Sequence, residues 1–264
     1  MTSFFISQQL KKHFGDDPDT AFEKIFHLEG EDYRLVKARR TFRFELDGRG
    51  YFAKVHRGIG WKEILKDVFQ FKLPVLGAGN EYAALELLKE KQINTMSCAA
   101  FGKRGWNPAS QQSFLVTEEL ANMVSLEDYV KTEEFSAFRR GLFDELARSL
   151  GAMHAAGINH RDCYICHYLL NPEVLRAGEV KLFVIDLHRA QIRKRVPFRY
   201  RVKDVAGILF SSLDLQPSKR ELMRFAAIYC ISNPEIKKCG RFWRAVSKAA
   251  CKLYKKEFGK TVTL

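Results

Sequence analysis

His160-Arg161-Asp162 lies in a polar loop, flanked by Ile158 and by the apolar Tyr168-Leu169-Leu170. A carboxylate there, held by Arg161 or by backbone donors, can approach a substrate hydroxyl and take its proton. Further along, Asp186 closes the apolar run Leu182-Phe183-Val184-Ile185. The mouth of a buried strand suits a carboxylate that holds a divalent cation on the β- and γ-phosphates of a nucleotide. Lys54 alternates with apolar neighbours in Tyr51-Phe52-Ala53-Lys54-Val55, so its ammonium leaves one face of a strand, and Glu81 at the head of a following helix is placed to pair with it. A base for a hydroxyl, a carboxylate for Mg²⁺ and a lysine for phosphates are together what phosphoryl transfer requires. Singly, each has a plainer reading as a cap, a turn residue or a solvated charge. The four in this order, each on a suitable element, argue for the chemistry.

The elements that must carry these residues follow from hydrophobic periodicity. After a polar opening, Asp16-Asp17-Pro18-Asp19, a β-meander is expected from Tyr33 to Val55: Thr41-Phe42-Arg43-Phe44-Glu45-Leu46 alternates, Asp47-Gly48 turns the chain, and Tyr51 to Val55 returns. Trp61, Ile64, Leu65, Val68 and Phe69 fall at helical spacing with Lys62 and Lys66 between them, until Pro74, Gly77 and Gly79 stop the pattern. A second helix is expected from Glu81 to about Lys91, then a strand Ser113-Phe114-Leu115-Val116-Thr117 running into Glu118-Glu119-Leu120. From Ser125 onward helical patterns take over, at Leu126 to Val130 and from Phe138 through His154, which ends at Ala155-Ala156-Gly157. One clear strand, Val180 to Leu187, is expected in that half and carries Asp186. The pattern predicts an α+β chain of two lobes, residues 1–121 small and rich in antiparallel strands, residues 122–264 mainly helical.

Composition narrows the classes further. At 264 residues and 46% hydrophobic content the chain is long and apolar enough for a sizeable core, which excludes general disorder. No apolar run approaches the roughly 18 residues that cross a bilayer, and Phe4-Phe5-Ile6 is too short for a secretory segment, so a cytoplasmic location is expected. Six cysteines in that setting read as reduced thiols. Cys163-Tyr164-Ile165-Cys166-His167 has the spacing of c-type haem attachment, but it abuts the proposed base inside a loop, and no second CxxC pair supports zinc. The net charge of +13 recruits phosphorylated or carboxylated partners: nucleic acid, anionic lipid, lipopolysaccharide or an acidic protein. Zinc-finger spacing, an RNA-recognition aromatic signature and a helix-turn-helix pattern are all missing, so nucleic acid is not expected. Arg189, Arg193, Lys194, Arg195, Arg199, Arg201 and Lys203 form a basic run directly after Asp186, which favours recognition of a polyanionic acceptor over a merely solvated face. Phe242, Trp243, Val246, Ala249, Ala250, Leu253 and Tyr254 among Arg241, Arg244, Lys248, Lys252, Lys255 and Lys256 read as a basic amphipathic helix, whose apolar side either packs on the core or meets a membrane or acidic protein.

Several runs carry a resemblance to a known family: Thr41-Phe42-Arg43-Phe44, Tyr51-Phe52-Ala53-Lys54, Pro74-Val75-Leu76-Gly77-Ala78, the long stretch from Met153 through His160-Arg161-Asp162 to His167, and Val184-Ile185-Asp186-Leu187-His188-Arg189-Ala190-Gln191. Together they closely resemble the lipopolysaccharide core heptose(I) kinases, over most of the chain. The resemblance implies a protein kinase-like fold and transfer of the ATP γ-phosphate to the 4-OH of the first heptose of the lipopolysaccharide inner core, by a protein bound peripherally to the cytoplasmic face of the inner membrane. It implies Asp162 as catalytic base, Asp186 as Mg²⁺ ligand, Lys54 as phosphate-binding lysine with Glu81 as its partner, and Glu118 and Leu120 as hinge residues meeting adenine. Asp204 resembles a buried aspartate that braces the catalytic loop. His167 stands where protein kinases place a metal-binding asparagine, so it either ligates the metal or hydrogen-bonds the loop. Lys37-Ala38-Arg39-Arg40 replaces a glycine-rich loop, and its charges could hold phosphates. The alternatives are a kinase acting on a protein or small-molecule acceptor, a non-catalytic pseudokinase-like binding module, and, on charge alone, a nucleic-acid-binding protein. The partners implied are the lipopolysaccharide inner core, an anionic membrane surface and an acidic protein.

Overall fold

The computed structural model describes residues 3–36, 38–69, 77–237 and 239–262. Lys37 of the basic segment and Pro74, Val75 and Leu76 lie outside the described residues. The chain forms two compact units, Met1–Glu86 with Met96–Ala121, and Leu87–Thr95 with Asn122–Leu264.

The first unit is built on strand β1 (Ser3–Ile6), helices α1 (Gln8–Phe14) and α2 (Pro18–Phe26), and the meander β2 (Glu31–Val36), β3 (Arg39–Leu46) and β4 (Arg49–His56). Helices α3 (Gly60–Phe69) and α4 (Gly79–Glu90), whose last turn from Leu87 belongs to the second unit, follow, then strands β5 (Cys98–Arg104) and β6 (Gln112–Glu118). The strands make one antiparallel sheet in the order β1-β5-β6-β4-β3-β2. Asp47 and Gly48 both take positive φ, 51° and 71°, as a two-residue turn between right-twisted strands demands. Along β3 and β4, Phe42, Phe44, Tyr51, Ala53 and Val55 are buried in one cluster with Leu10 and Phe14 of α1 and Phe22 and Ile25 of α2. Lys54 points to the opposite side of β4 by the strand's alternation, and there α4 supplies Glu81 and stacks Tyr82 on Phe101 with centroids 4.0 Å apart. The Asp-rich opening is a helix start: Asp17 accepts the Thr20 N–H at 2.8 Å, a bond that lowers its pKa, and Pro18 opens α2. On α3, Ile64 is buried while Trp61, Leu65 and Phe69 are exposed.

In the second unit β7 (Val124–Ser125) and α5 (Leu126–Tyr129) lead into the long α6 (Phe135–Ala155), followed by β8 (Ile158–Asn159), β9 (Tyr168–Leu170) and α7 (Pro172–Arg176). Strands β10 (Phe183–Val184) and β11 (Gln191–Ile192) precede helices α8 (Phe198–Ser211), α9 (Lys219–Ser232) and α10 (Gly240–Phe258). The single long strand expected from Val180 to Leu187 is only Phe183–Val184, and four other short strands pair around it as β10-β9-β7 and β11-β8. Pairs this short leave little alternation to read. The apolar side of α10 belongs to the core: Phe242, Val246, Ala250 and Tyr254 are buried, with Phe242 stacked on Tyr229 of α9. Its cations Arg241, Arg244, Lys248, Lys252, Lys255 and Lys256 are all exposed. Between α8, α9 and α10 an apolar cavity of about 300 Å³ is lined by Ile208, Leu209, Leu222, Met223, Trp243 and Val246, among others.

Candidate active site

Asp162 sits in the loop between β8 and a one-turn helix, Ile165–His167. The chain enters this loop through Arg161, whose φ of 76° is left-handed. That conformation costs a non-glycine residue about 1–3 kcal/mol, so the surroundings must impose it. Asp204 of α8 does so, its Oδ2 accepting the His160 N–H at 2.6 Å and its Oδ1 the Arg161 N–H at 2.9 Å. Asp204 is in turn set by His154, whose Nε2 donates to Oδ2 at 3.3 Å and whose Nδ1 therefore accepts from the Tyr229 hydroxyl at 2.8 Å. One loop is thus tied to α6, α8 and α9. The close approach of α8 needs a glycine at 207, because a Cβ there would lie 2.2 Å from the Cys163 carbonyl oxygen.

The side chain that holds Asp162 is Arg189, whose Nη1 donates to the two carboxylate oxygens at 3.0 and 2.9 Å. The expectation of a hold by Arg161 or by backbone donors is corrected, since among the described residues the hydrogen bonds to the Asp162 carboxylate come from Arg189. A single nitrogen bridging both oxygens leaves lone pairs on each, and 20% of the Asp162 side chain stays accessible. Both features are needed if a hydroxyl is to reach it.

Asp186 lies beyond β10 in left-handed backbone, φ 58° and ψ 51°, and opens the one-turn helix Leu187–Arg189. His188 Nδ1 donates to its Oδ1 at 2.5 Å. His167 stands between the two aspartates: its Nδ1 hydrogen-bonds the Asp162 carbonyl at 2.7 Å, and its Nε2 lies 3.6 Å from Asp186 Oδ2. His160 stacks on His167 with planes 6° apart and donates from Nε2 to the Ile185 carbonyl at 2.9 Å, and its burial lowers its pKa. Burial also holds the Cys163 thiol well above its usual range and pushes Cys166 up to about 11, so both are thiols at neutral pH and poor metal ligands as they stand.

In the first unit, Lys54 Nζ and Glu81 Oε1 are 2.5 Å apart, with Glu81 1% exposed. Glu118 ends β6 and donates its N–H to the Ser97 carbonyl at 3.0 Å, so a hinge contact from Glu118 falls to its carbonyl. The segment towards Leu120 is pinned by Glu119, whose carboxylate accepts from Arg43 Nε at 2.8 and 3.0 Å and from Nη2 at 2.7 Å. Lys54, Glu81, Glu118 and Leu120 therefore belong to one unit, and Asp162, His167 and Asp186 to the other.

The basic run divides by what each side chain touches. Arg201 is buried on Glu235, which Arg195 also reaches at 3.4 Å, so Arg201 serves packing rather than an acceptor. Arg193 donates to Asn159 and Gln191 and lies 4.6 Å over the Tyr200 ring, near Arg199. Arg189 and His188 are residues that sequence reasoning did not assign to the aspartates. Their signal was proximity alone, three and two positions after Asp186 in a run that looked uniformly basic.

Known proteins share this arrangement of sequence. Residues 23–229 match the family model described as lipopolysaccharide kinase (Kdo/WaaP) family. A lipopolysaccharide core heptose(I) kinase WaaP of Pseudomonas aeruginosa is 49% identical over 220 residues, 81% of this chain and 81% of that protein. A protein of the same description from Escherichia coli is 45% identical, covering 81% of this chain and 82% of its own length. A solved structure, WaaP in complex with acyl carrier protein, is similar with a TM-score of 0.79 and 38% identity, over 96% of this chain and 99% of that one. The α+β chain has the protein kinase-like fold, and it belongs to the lipopolysaccharide kinase (Kdo/WaaP) family.

Proposed function

We propose that this chain is an ATP-dependent sugar kinase of lipopolysaccharide core synthesis that phosphorylates the 4-OH of the first inner-core heptose. Its family and relatives support the kinase activity and the sugar. The observation that carries the reading to particular residues is the position of His167 between Asp162 and Asp186, bonded to the carbonyl of one and 3.6 Å from the carboxylate of the other, with Asp162 held by Arg189 and still accessible.

In this reading Asp162 takes the proton of the acceptor hydroxyl, Lys54 contacts the nucleotide phosphates and Glu81 keeps its ammonium in place. The Glu118 carbonyl and the Leu120 backbone meet adenine. Asp186 would hold Mg²⁺, with His167 beside it. The donor set fits that ion: among the described residues no group of three or more His, Cys, Asp or Glu side chains forms a metal cage, and Mg²⁺ is ordinarily carried by one or two carboxylates, substrate phosphates and water. Imidazole nitrogen suits Zn²⁺ better than Mg²⁺, and His167 already spends Nδ1 on the loop, so its part is to position the aspartates. When bound, the ion neutralises charge on the phosphate oxygens.

No helix of the described residues is long and apolar enough to cross a membrane. A lipid-linked acceptor and a net charge of +13 support peripheral binding to the cytoplasmic face of the inner membrane. An acidic protein is a fitting partner for the exposed cations of α10, and the similar solved structure holds an acyl carrier protein. The decisive experiment combines purified protein, Mg-ATP and unphosphorylated inner core, with the product's phosphate located by NMR. Phosphate on heptose I O4 is expected; phosphate elsewhere, or ATP consumed only on a different acceptor, overturns the assignment.

A further inference from the structure

The arginines that follow Asp186 do not share one fate. Arg189 holds Asp162, and Arg195 and Arg201 share Glu235. Arg193 and Arg199 are held as well, but by neutral groups. Arg193 donates from Nη1 to Asn159 Oδ1 and from Nη2 to Gln191 Oε1, both at 2.6 Å, and Arg199 donates from Nη2 to the Tyr200 hydroxyl at 2.7 Å. Both guanidinium carbons lie over the Tyr200 ring, 4.6 and 4.5 Å from its centroid, so the two cations stand within about 9 Å of each other, inside the Debye length of about 10 Å at 0.1 M salt. Among the described residues neither has a carboxylate within ion-pair distance. The ring attracts both cations without cancelling either charge.

This arrangement breaks local rules. A long surface side chain ordinarily keeps its rotamer freedom, yet these two are fixed with no counter-charge to offset the loss. Asn159 is fully buried and turns its oxygen to Arg193 while its own Nδ2 has no partner among the described residues, a rare condition for a buried donor. Arg199 lies in the first turn of α8, where no acidic residue stands and the helix dipole disfavours a cation. Departures of this kind gather at functional places. An anion between the arginines removes the repulsion and finds donors waiting, since of the five N–H groups on each guanidinium Arg193 commits two and Arg199 one. The position suits an acceptor. Gln191 pairs with Asn159 across β11 and β8, and Asn159 precedes Asp162 by three residues, a span of at most about 11 Å. One oligosaccharide can meet both places.

We propose that Arg193 and Arg199, backed by Tyr200, form an oxyanion clamp that binds an acidic group of the acceptor's sugars, a carboxylate or a phosphate, and so presents the neighbouring hydroxyl to Asp162. This rests on the reading of the chain as a kinase of the inner core with Asp162 as base. The clamp supplies affinity for the acceptor and takes no part in the bond exchange.

The test uses the full chain with Mg-ATP and inner-core acceptor in non-ionic detergent, which leaves no anionic lipid surface, and compares wild type, Arg199→Gln, Arg199→Lys, Arg193→Gln and Asp162→Asn. A hydrogen bond to a charged group is worth about a tenfold or larger change in binding. Arg199→Gln should therefore raise the acceptor KM about tenfold, with kcat and the KM for ATP within about twofold. Arg199→Lys keeps the charge without the planar fork and should recover only part. Arg199 is exposed, so its variants report even where Arg193→Gln fails to fold. Two further acceptors identify the anion, one stripped of phosphate and one with its carboxyl groups reduced to alcohols: the penalty of Arg199→Gln should vanish on the one that lacks the clamped group. A penalty of full size on both overturns the proposal. So does an unmoved acceptor KM in Arg199→Gln, whether kcat holds or falls, or an equal rise in the KM for ATP. Failure of the underlying reading looks different: a wild type that leaves the inner core unphosphorylated, or an Asp162→Asn that still turns over, takes the clamp with it, whereas a dead Asp162→Asn beside an Arg199→Gln of wild-type acceptor KM removes the clamp alone.

Discussion

At the scale of single residues, function is set by which charges the fold pairs and how tightly. Glu81 is almost fully buried, so its charge is tolerable only because Lys54 meets it. Removing one member of a buried ion pair costs about 3–5 kcal/mol, an upper limit here because 15% of Lys54 is still accessible. Glu81→Gln should lower the melting temperature and raise the KM for ATP about tenfold, with the ATP-induced thermal shift as the direct readout; a full shift would dismiss Glu81 as Lys54's keeper. His188 presents a different case, since its Nδ1 bond to Asp186 orients a carboxylate assigned to Mg²⁺. Groups one step out from a metal ligand typically matter by 10–100-fold. His188→Ala should raise the Mg²⁺ concentration for half-maximal activity by about that factor while excess Mg²⁺ restores kcat. Loss that no concentration of Mg²⁺ repairs would place His188 elsewhere in the mechanism.

At the scale of elements, α8 acts as the splint of the Asp162 loop, and its contact depends on one missing methyl. Gly207→Ala would drive a Cβ into the Cys163 carbonyl oxygen, a backbone atom that cannot swing aside, so kcat should fall at least tenfold while far-UV circular dichroism stays unchanged. Gly141→Ala on α6 is the contrast: its Cβ would meet a Val180 methyl 3.2 Å away, and alanine gains about 1 kcal/mol in helix propensity, so stability should hold or rise. Equal loss in both variants would mean that helix substitution, not the loop contact, is being measured. The same comparison shows what the sequence made legible. The meander was readable because Phe42 and Phe44 face one side for eight uninterrupted residues of β3, and α6 was readable because it runs long enough to repeat its apolar stripe. Of the strands β7 to β11 only β10 was, inside a longer expected run, since all five are two or three residues long and held by partners far along the chain. Asp162 and Asp186 stood out as residue types in an order, whereas the Arg189 grip on Asp162 spans 27 positions and exists only after the loop is folded. Asp17 was passed over as mere polarity because an N-cap is visible only once the helix behind it is known.

At the scale of the whole molecule, the governing quantity is the excess of cations, 44 lysines and arginines against 31 aspartates and glutamates. Many of those cations are used internally: Arg43 on Glu119, Arg139 on Glu221, Arg201 on Glu235 and Arg224 on Asp144. The unspent charge concentrates on exposed faces such as α10. Near an anionic bilayer each such lysine or arginine contributes about 1 kcal/mol, and the attraction dies away within a Debye length, about 8 Å at physiological salt. A handful of cations is therefore enough for reversible binding and too few for binding that survives high salt. The protein should sediment with vesicles rich in anionic lipid at about 0.05 M salt, be released by roughly 0.5 M, and ignore zwitterionic vesicles throughout. Replacing Lys248, Lys252, Lys255 and Lys256 with glutamine should shift release to lower salt without lowering the melting temperature, because none of the four is buried. Binding that persists in high salt would point instead to insertion of apolar side chains, for which the exposed Trp61, Leu65 and Phe69 of α3 are one candidate group. Unchanged release after the four substitutions would remove α10 from the membrane-facing surface and leave its cations to a protein partner.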